Sequence, residues 1–211
     1  MDVTRVSKTL ESGDAFEISS ASATAVRIKL GKRWGLLTGF LDMLKVAVPM
    51  LAARALGEPI GVEVAIAAGG LLGHVLPVYH RFRGGRGESP TYGAVFALDP
   101  IGVLVSLVCG TVAGFLGGHV LVLRETPLLF LAGWAWFVRG EPLVAAFAIL
   151  ATVVYQVATF PEYRQLAALM KKGVSPSNEE IARELAMGGR LGRLLDEWSV
   201  PGIVRRARAR A

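Results

Sequence analysis

The stretch RFRGGRG, Arg81 to Gly87, sets three arginines among three glycines where a long apolar run ends. Each guanidinium is a planar fork of donors that grips a phosphate in two places at once. Glycine admits positive φ, so successive backbone N–H groups can turn into one concavity, a nest for anions. The helix predicted to start near Glu88 would aim its N-terminal dipole and free N–H groups at the same point. Arg83, Arg86 and the backbone of Gly84, Gly85 and Gly87 are therefore the first candidates for holding a phosphate. The competing reading is a basic turn that fixes topology and touches lipid headgroups. His74 stands one to two turns upstream in an apolar helix. A lone histidine there is either a hydrogen-bonded structural residue or a base close to the bound phosphate.

The elements that must position these groups are membrane helices. The 211 residues are 53% apolar and 19% charged, with a net charge of +6, a pI near 9.8 and a mean hydropathy of +0.48. Charges crowd into 1–35, 81–88 and 161–211 and thin out between. Neutral apolar runs separated by short basic patches are the pattern of a polytopic membrane protein. Cations that flank apolar spans set topology, which argues against nucleic acid as a partner. The single Cys109 excludes a disulfide framework, and His74, His80 and His119 lack zinc-type spacing, so no metal is expected. Residues 1–35 have no apolar core, so no cleavable signal peptide is expected and internal spans must direct insertion.

Residues 36–56 are long enough to cross a bilayer, about 30 Å of helix. Asp42 and Lys45 lie within that span at i, i+3, on one face, where they can neutralise each other. A second helix is predicted over 60–80. The segment 88–98 is only about 16 Å long, stopped by Asp99-Pro100, and so is a half-helix packed inside protein. A span over 101–123, a break at Arg124–Thr126, a short helix over 127–138, a break at 139–141 and a span over 142–160 complete the series. Even numbers of segments separate the basic stretches 27–33, 81–86 and the tail, which places all three on the cytoplasmic side. The expected fold class is all-α: a polytopic membrane helix bundle of about six helices, half-helices included, plus a cytoplasmic helical tail. The expected division is a polar segment over 1–33, a membrane domain over 34–160 and a basic amphipathic tail over 161–211. In that tail Ser177 and Glu180 form a capping box, so a helix should begin near Asn178. Leu191, Leu194, Leu195 and Trp198 then oppose Arg190 and Arg193. Such a segment either lies on an anionic membrane surface or packs partly on the protein as a solvated tail.

The segment GHVLPVYHRFRGGRGESPTYGAVFALDP, Gly73 to Pro100, resembles the signature of the acyl-phosphate:glycerol-3-phosphate acyltransferases, the PlsY-type bacterial membrane enzymes. Gly73, His74, Pro77, Phe82, Gly84, Gly85, Gly87, Gly93 and Pro100 fall in register with it. Arg83 and Arg86 stand at its two lysine positions. GLLTGFLDMLKVAVP looks like the family's second span, with Asp42, Lys45 and Pro49 in place. The resemblance implies transfer of a fatty acyl group from acyl phosphate to glycerol 3-phosphate, giving lysophosphatidic acid for phospholipid synthesis, with no metal or other cofactor. It implies a multi-pass protein of the bacterial plasma membrane, in contact with membrane lipids. Its first motif is echoed by Ser20 (or Ser19), Thr24 and Arg27, expected to bind substrate. Its third corresponds to LVLRET, where Thr126 offers the hydroxyl. Near the last helix Thr159 and Glu162 replace the family's histidine and asparagine, so His74 and Glu162 are the candidate bases beside Arg86. The family's first span has no counterpart in residues 1–16, which leaves a place for a partner membrane subunit. A non-catalytic paralogue that binds phospholipid headgroups or an acyltransferase partner is the alternative.

Overall fold

The computed structural model describes residues 6–9, 15–18, 22–82, 84–173, 176–184 and 187–210. The fold is an all-α membrane bundle, with one addition near the N-terminus. There β1 (Val6–Thr9) and β2 (Ala15–Ile18) form an antiparallel hairpin, Val6 opposite Ile18, within a segment expected to be merely polar. Helix α1 (Ala23–Leu30) is capped by Ser22, whose Oγ accepts from the Ala25 N–H. Six helices build the bundle: α2 (Lys32–Ala55), α3 (Ile60–Val75), α4 (Glu88–Leu98), α5 (Pro100–Gly117), α6 (Val120–Gly133) and α7 (Pro142–Lys171). A π-helical turn, Trp134–Val138, extends α6. With it, four helices (α2, α5, α6 and α7) are long and apolar enough to cross a membrane. The half-helix α4 packs inside, where its backbone ends meet protein rather than lipid, while the shorter α3 buries only the face of Glu63, Ala67 and Leu71.

Small residues set how closely the helices approach. Gly102, Ser106, Gly110 and Gly114 recur every fourth position on the buried face of α5. A Cβ on Gly110 would lie 2.4 Å from Pro127, and one on Gly114 2.4 Å from Leu123, so α6 seats directly on this stripe. The opposite face of α5 exposes Ile101, Leu104, Val108 and Val112 to the surroundings, as a lipid-facing helix does. The core joins Val46 and Met50 of α2, Ala67 and Leu71 of α3, Ala94 and Val95 of α4, and Phe147 and Ala148 of α7.

Three predicted boundaries move. The turn between α5 and α6 falls at Gly118, in the left-handed region at φ 66°, and not at Arg124–Thr126. Arg124 and Glu125 sit inside α6 because their charges find partners across the bundle, and the Thr126 hydroxyl bonds back to Val122 O. Helix α3 stops at Val75, before Pro77, and a 3₁₀ turn over Val78–His80 replaces its expected last turn. Helix α7 continues through Pro161 to Lys171. The helix directions nonetheless agree with the expected count. Arg54 meets Glu63 and Val46 meets Gly70, so α2 and α3 are antiparallel; Ser89 meets Gly39 and Gly93 meets Met43, so α4 runs parallel to α2. The start of α2, the loop at 81–87, the α5–α6 turn and the end of α7 consequently share one side.

On that side three tail helices dock: α8 (Asn178–Glu184), α9 (Gly189–Trp198) and α10 (Val200–Arg210). Asn178 is the fastener. Its Oδ1 accepts from the Val120 N–H at 2.9 Å, and its Nδ2 donates to Gly118 O and to Asp196 Oδ1, both at 2.9 Å. Asn178→Ala leaves a buried N–H unpaired and should weaken tail docking by roughly 1–3 kcal/mol. Faster tryptic cleavage after Lys171 or Lys172, with the bundle intact, is the expected readout.

Candidate active site

The glycine–arginine loop is stapled to the end of α3. The N–H of Gly84 donates to Val75 O at 3.2 Å, and that of Gly85 to His74 O at 3.1 Å. These are carbonyls that a helix leaves unpaired when it ends. The phosphate nest expected of Gly84 and Gly85 is therefore not what these two N–H groups form. Positive φ falls instead on Arg81 (54°), Phe82 (61°) and Gly87 (84°), which reverse the chain on either side. Arg83 lies outside the described residues, as do Ser19 and Ser20.

Behind the loop stand three polar side chains in mutual contact. Lys45 Nζ donates to Asp42 Oδ1 at 2.7 Å and lies 2.7 Å from His74 Nδ1. The same Nδ1 lies 3.5 Å from Asp42 Oδ1, so the imidazole contacts both members of the pair. The expected Asp42–Lys45 pair is present, and His74 has joined it. The Nε2 edge of His74 packs so close to Gly85 that a Cβ there would lie 2.0 Å from it. His74 thus braces the loop from beneath.

Arg86 points the other way, into the bundle, and is only 3% exposed. Its Nη1 donates to both carboxylate oxygens of Glu162, at 3.2 and 3.1 Å, and its Nη2 to Thr24 Oγ1 at 2.7 Å. Residues from the α1 start, the loop and α7 meet at this one guanidinium. Each of the three is a candidate on sequence alone, and their contact is not legible there.

Next to it lies a second ion pair, not foreseen from the sequence, between a buried arginine and a part-exposed carboxylate. Arg124 Nη2 donates to Glu88 Oε2 at 2.8 Å, and its guanidinium lies over the Tyr155 ring, 5.2 Å from the centroid. Among the described residues, Arg124 Nε and the Tyr155 hydroxyl are buried without a hydrogen-bond partner. Glu125 accepts from Gln156 Nε2 and Tyr163 Oη. The signal was the Arg-Glu dipeptide at 124–125, legible as charges to be paired in a helix rather than as a break. Thr126 lies apart: its Oγ1 donates to Val122 O at 2.7 Å, along its own helix. Thr159 does the same, donating to Tyr155 O at 2.8 Å.

A groove runs past this cluster. Its head, about 340 Å³, is lined by Thr24, Arg27 and Lys32 together with Leu36, Phe40 and Met43. Phe40 and Met43 also line a second cavity of about 320 Å³, which continues between α2 and α4 past Ala47 and Leu51. A cationic head on an apolar trough has the shape of an anionic amphiphile. Among the described residues no group of three histidine, cysteine or carboxylate side chains is placed to hold a metal.

The glycerol-3-phosphate acyltransferase family model matches residues 4–168, which takes in the bundle and this cluster and stops before α8. A glycerol-3-phosphate acyltransferase of Rubrobacter xylanophilus is 33% identical over 163 residues, 77% of this chain and 75% of the relative. That of Aquifex aeolicus is 33% identical over 141 residues, 65% of this chain and 73% of its own length. Among solved structures, the glycerol 3-phosphate form of PlsY (YgiH), an integral membrane glycerol 3-phosphate acyltransferase, superposes with a TM-score of 0.60. Its identity is 29%, over 71% of this chain and 76% of that one. A second structure of the same protein, in its lysophosphatidic acid form, superposes equally well.

Proposed function

Because the chain belongs to the glycerol-3-phosphate acyltransferase family, we propose that it moves a fatty acyl group from an acyl phosphate to the 1-hydroxyl of glycerol 3-phosphate, yielding lysophosphatidic acid. The observation that carries this reading is the convergence of Arg86, Thr24 and Glu162 beside the cationic head of an apolar groove. The acyl chain lies along α2 and α4, and the reacting carbonyl sits near the Thr24–Arg27 end.

In the reaction the glycerol hydroxyl oxygen bonds to the acyl carbon, and the bond from that carbon to the phosphate oxygen breaks. Phosphate departs with the electron pair, and the hydroxyl proton must go to a base. Arg86 is the group that meets developing phosphate charge, since a preorganised guanidinium in a dry site stabilises it without reorganising. Before substrate binds, Glu162 neutralises that guanidinium. A substrate phosphate that takes over Nη1 releases the carboxylate, which is then placed to accept the hydroxyl proton. His74 acts one layer back, holding the loop through Gly85, and is a positioning residue. Arg27 holds the phosphate of glycerol 3-phosphate. The non-catalytic alternative gains no supporting observation.

Basic residues at 27–33, 81–86 and in the tail share the side on which this cluster opens, so the site faces the cytoplasm from a bacterial plasma membrane. The test is formation of labelled lysophosphatidic acid by the detergent-purified chain from acyl phosphate and labelled glycerol 3-phosphate, with an acyl thioester in a parallel reaction. Product from acyl phosphate alone is expected. No product from either donor, with folded protein and intact substrates, overturns the reading. Arg27→Ala should lower kcat/KM for glycerol 3-phosphate about ten- to a hundredfold, the usual worth of a hydrogen bond to a charged group.

A further inference from the structure

The tail helices form a layer of their own beyond the family-matched segment, and they have two faces. One is spent on the bundle: Ile181, Ala182 and Leu195 bury against Val120, and Pro201 packs on Gly118. The other is apolar yet unpacked. On α9 it shows Leu194 and Trp198, the latter 59% exposed. On α10 it shows Val200, Ile203 and Val204, which with Ala207 form one stripe at i, i+3, i+4, i+7, opposite the docked Pro201 and Gly202. Arg206 and Arg208 flank the stripe. The Arg206 guanidinium also lies over the Trp198 ring at 5.0 Å and donates to Glu197 O, which ties the two helices together.

Charge complementarity and position identify what covers this face. Residues 189–210 carry six arginines against Asp196 and Glu197, a net charge of +4. They are fastened through Asn178 to the turn between two membrane-spanning helices, on the side where the candidate site opens. Tryptophan, branched aliphatics and arginines on one short helical layer, held at the end of membrane spans, match the headgroup zone of a bilayer, apolar below and anionic above. We propose that α9 and α10 lie in the headgroup layer of this membrane and recognise its anionic phospholipids. This inference is independent of the transfer reaction.

The test uses the full chain with Cys109→Ser and Ile203→Cys, labelled at position 203 with an environment-sensitive fluorophore. It is reconstituted in vesicles of phosphatidylcholine, or of phosphatidylcholine with roughly 30% phosphatidylglycerol. In the anionic vesicles the emission should shift to the blue, doxyl-labelled lipid should quench it, and aqueous iodide should not. Arg205→Gln and Arg208→Gln should each reduce the lipid-quenched fraction about fivefold. A label at Leu194→Cys repeats the measurement should the first position disturb folding. Equal iodide quenching in both vesicles overturns the proposal, because the tail would then lie in water. Equal lipid quenching in both overturns the recognition of charge. A label shielded from iodide and lipid alike would mean that protein covers this face, and also overturns it.

Discussion

Arg86→Ala is expected to lower kcat/KM for acyl transfer about a thousandfold, the cost of removing one preorganised charge-stabilising donor from a water-excluded site. The substitution also touches the fold. Glu162, with a side chain only 7% exposed, would be left as an uncompensated buried charge, and breaking such a pair costs about 3–5 kcal/mol. Loss of activity alone would therefore not distinguish a catalytic arginine from a structural one. The double variant Arg86→Ala with Glu162→Gln, set against Glu162→Gln alone, separates them. Glutamine fills the carboxylate's place without its charge, so thermal stability in detergent should return towards that of the parent, while turnover should fall well below that of Glu162→Gln alone, which lacks only the base. Turnover equal to that of Glu162→Gln alone would assign Arg86 to the fold alone. Arg86→Lys keeps the charge but lacks the fork that reaches Glu162 through Nη1 and Thr24 through Nη2 at once, and should fall between.

The parts of this architecture that were legible in the sequence are those that depend on local composition. Apolar runs of bilayer length gave the spans, Asp99-Pro100 gave the α4–α5 corner, and Ser177 gave the start of α8. The Asp42–Lys45 pair followed from i, i+3 spacing alone. What could not be read were contacts made across the bundle. A break at Arg124–Thr126 takes charge as a sign of solvent, whereas the part-exposed Glu88, 36 positions away, neutralises the buried Arg124. The loop offered a similar trap. Glycines and arginines together suggested a nest, but Pro77 ends α3 early, and the freed carbonyls of His74 and Val75 take the glycine N–H groups first. The polar contacts of Thr24, Arg86 and Glu162 rest on chain segments brought together only by packing. Their residue types were suggestive and their partnership was not. Conversely, the stripe Gly102, Ser106, Gly110, Gly114 was visible at fixed spacing and predicts the α5–α6 seat for anyone looking for small residues rather than large ones.

Gly84→Ala should lower turnover about a hundredfold by unseating the loop from α3. A Cβ at this position would lie 2.1 Å from His74 O, 2.5 Å from Pro77 Cδ and 2.6 Å from Val75 O. Backbone carbonyls and a proline ring cannot swing aside as a flexible side chain would, so the loop itself must lift by about an ångström. That breaks the Gly84–Val75 bond and moves Arg86, two residues on, away from the carboxylate it grips at 3.1 Å. A misplacement of that size at a reacting centre costs about a hundredfold in rate. Overpacking should also cost about 1–3 kcal/mol of stability. Gly69→Ala is the internal comparison: its Cβ meets no atom within 4 Å, and alanine favours the helix by about 0.5–1 kcal/mol, so stability should hold or rise and turnover should not change. Rates and melting temperatures of the two variants, measured side by side, test whether the loop's close seat on α3 aims Arg86. Full activity in Gly84→Ala would show that the guanidinium is held by Glu162 and Thr24 alone, and that the loop's attachment serves only to close the end of the helix.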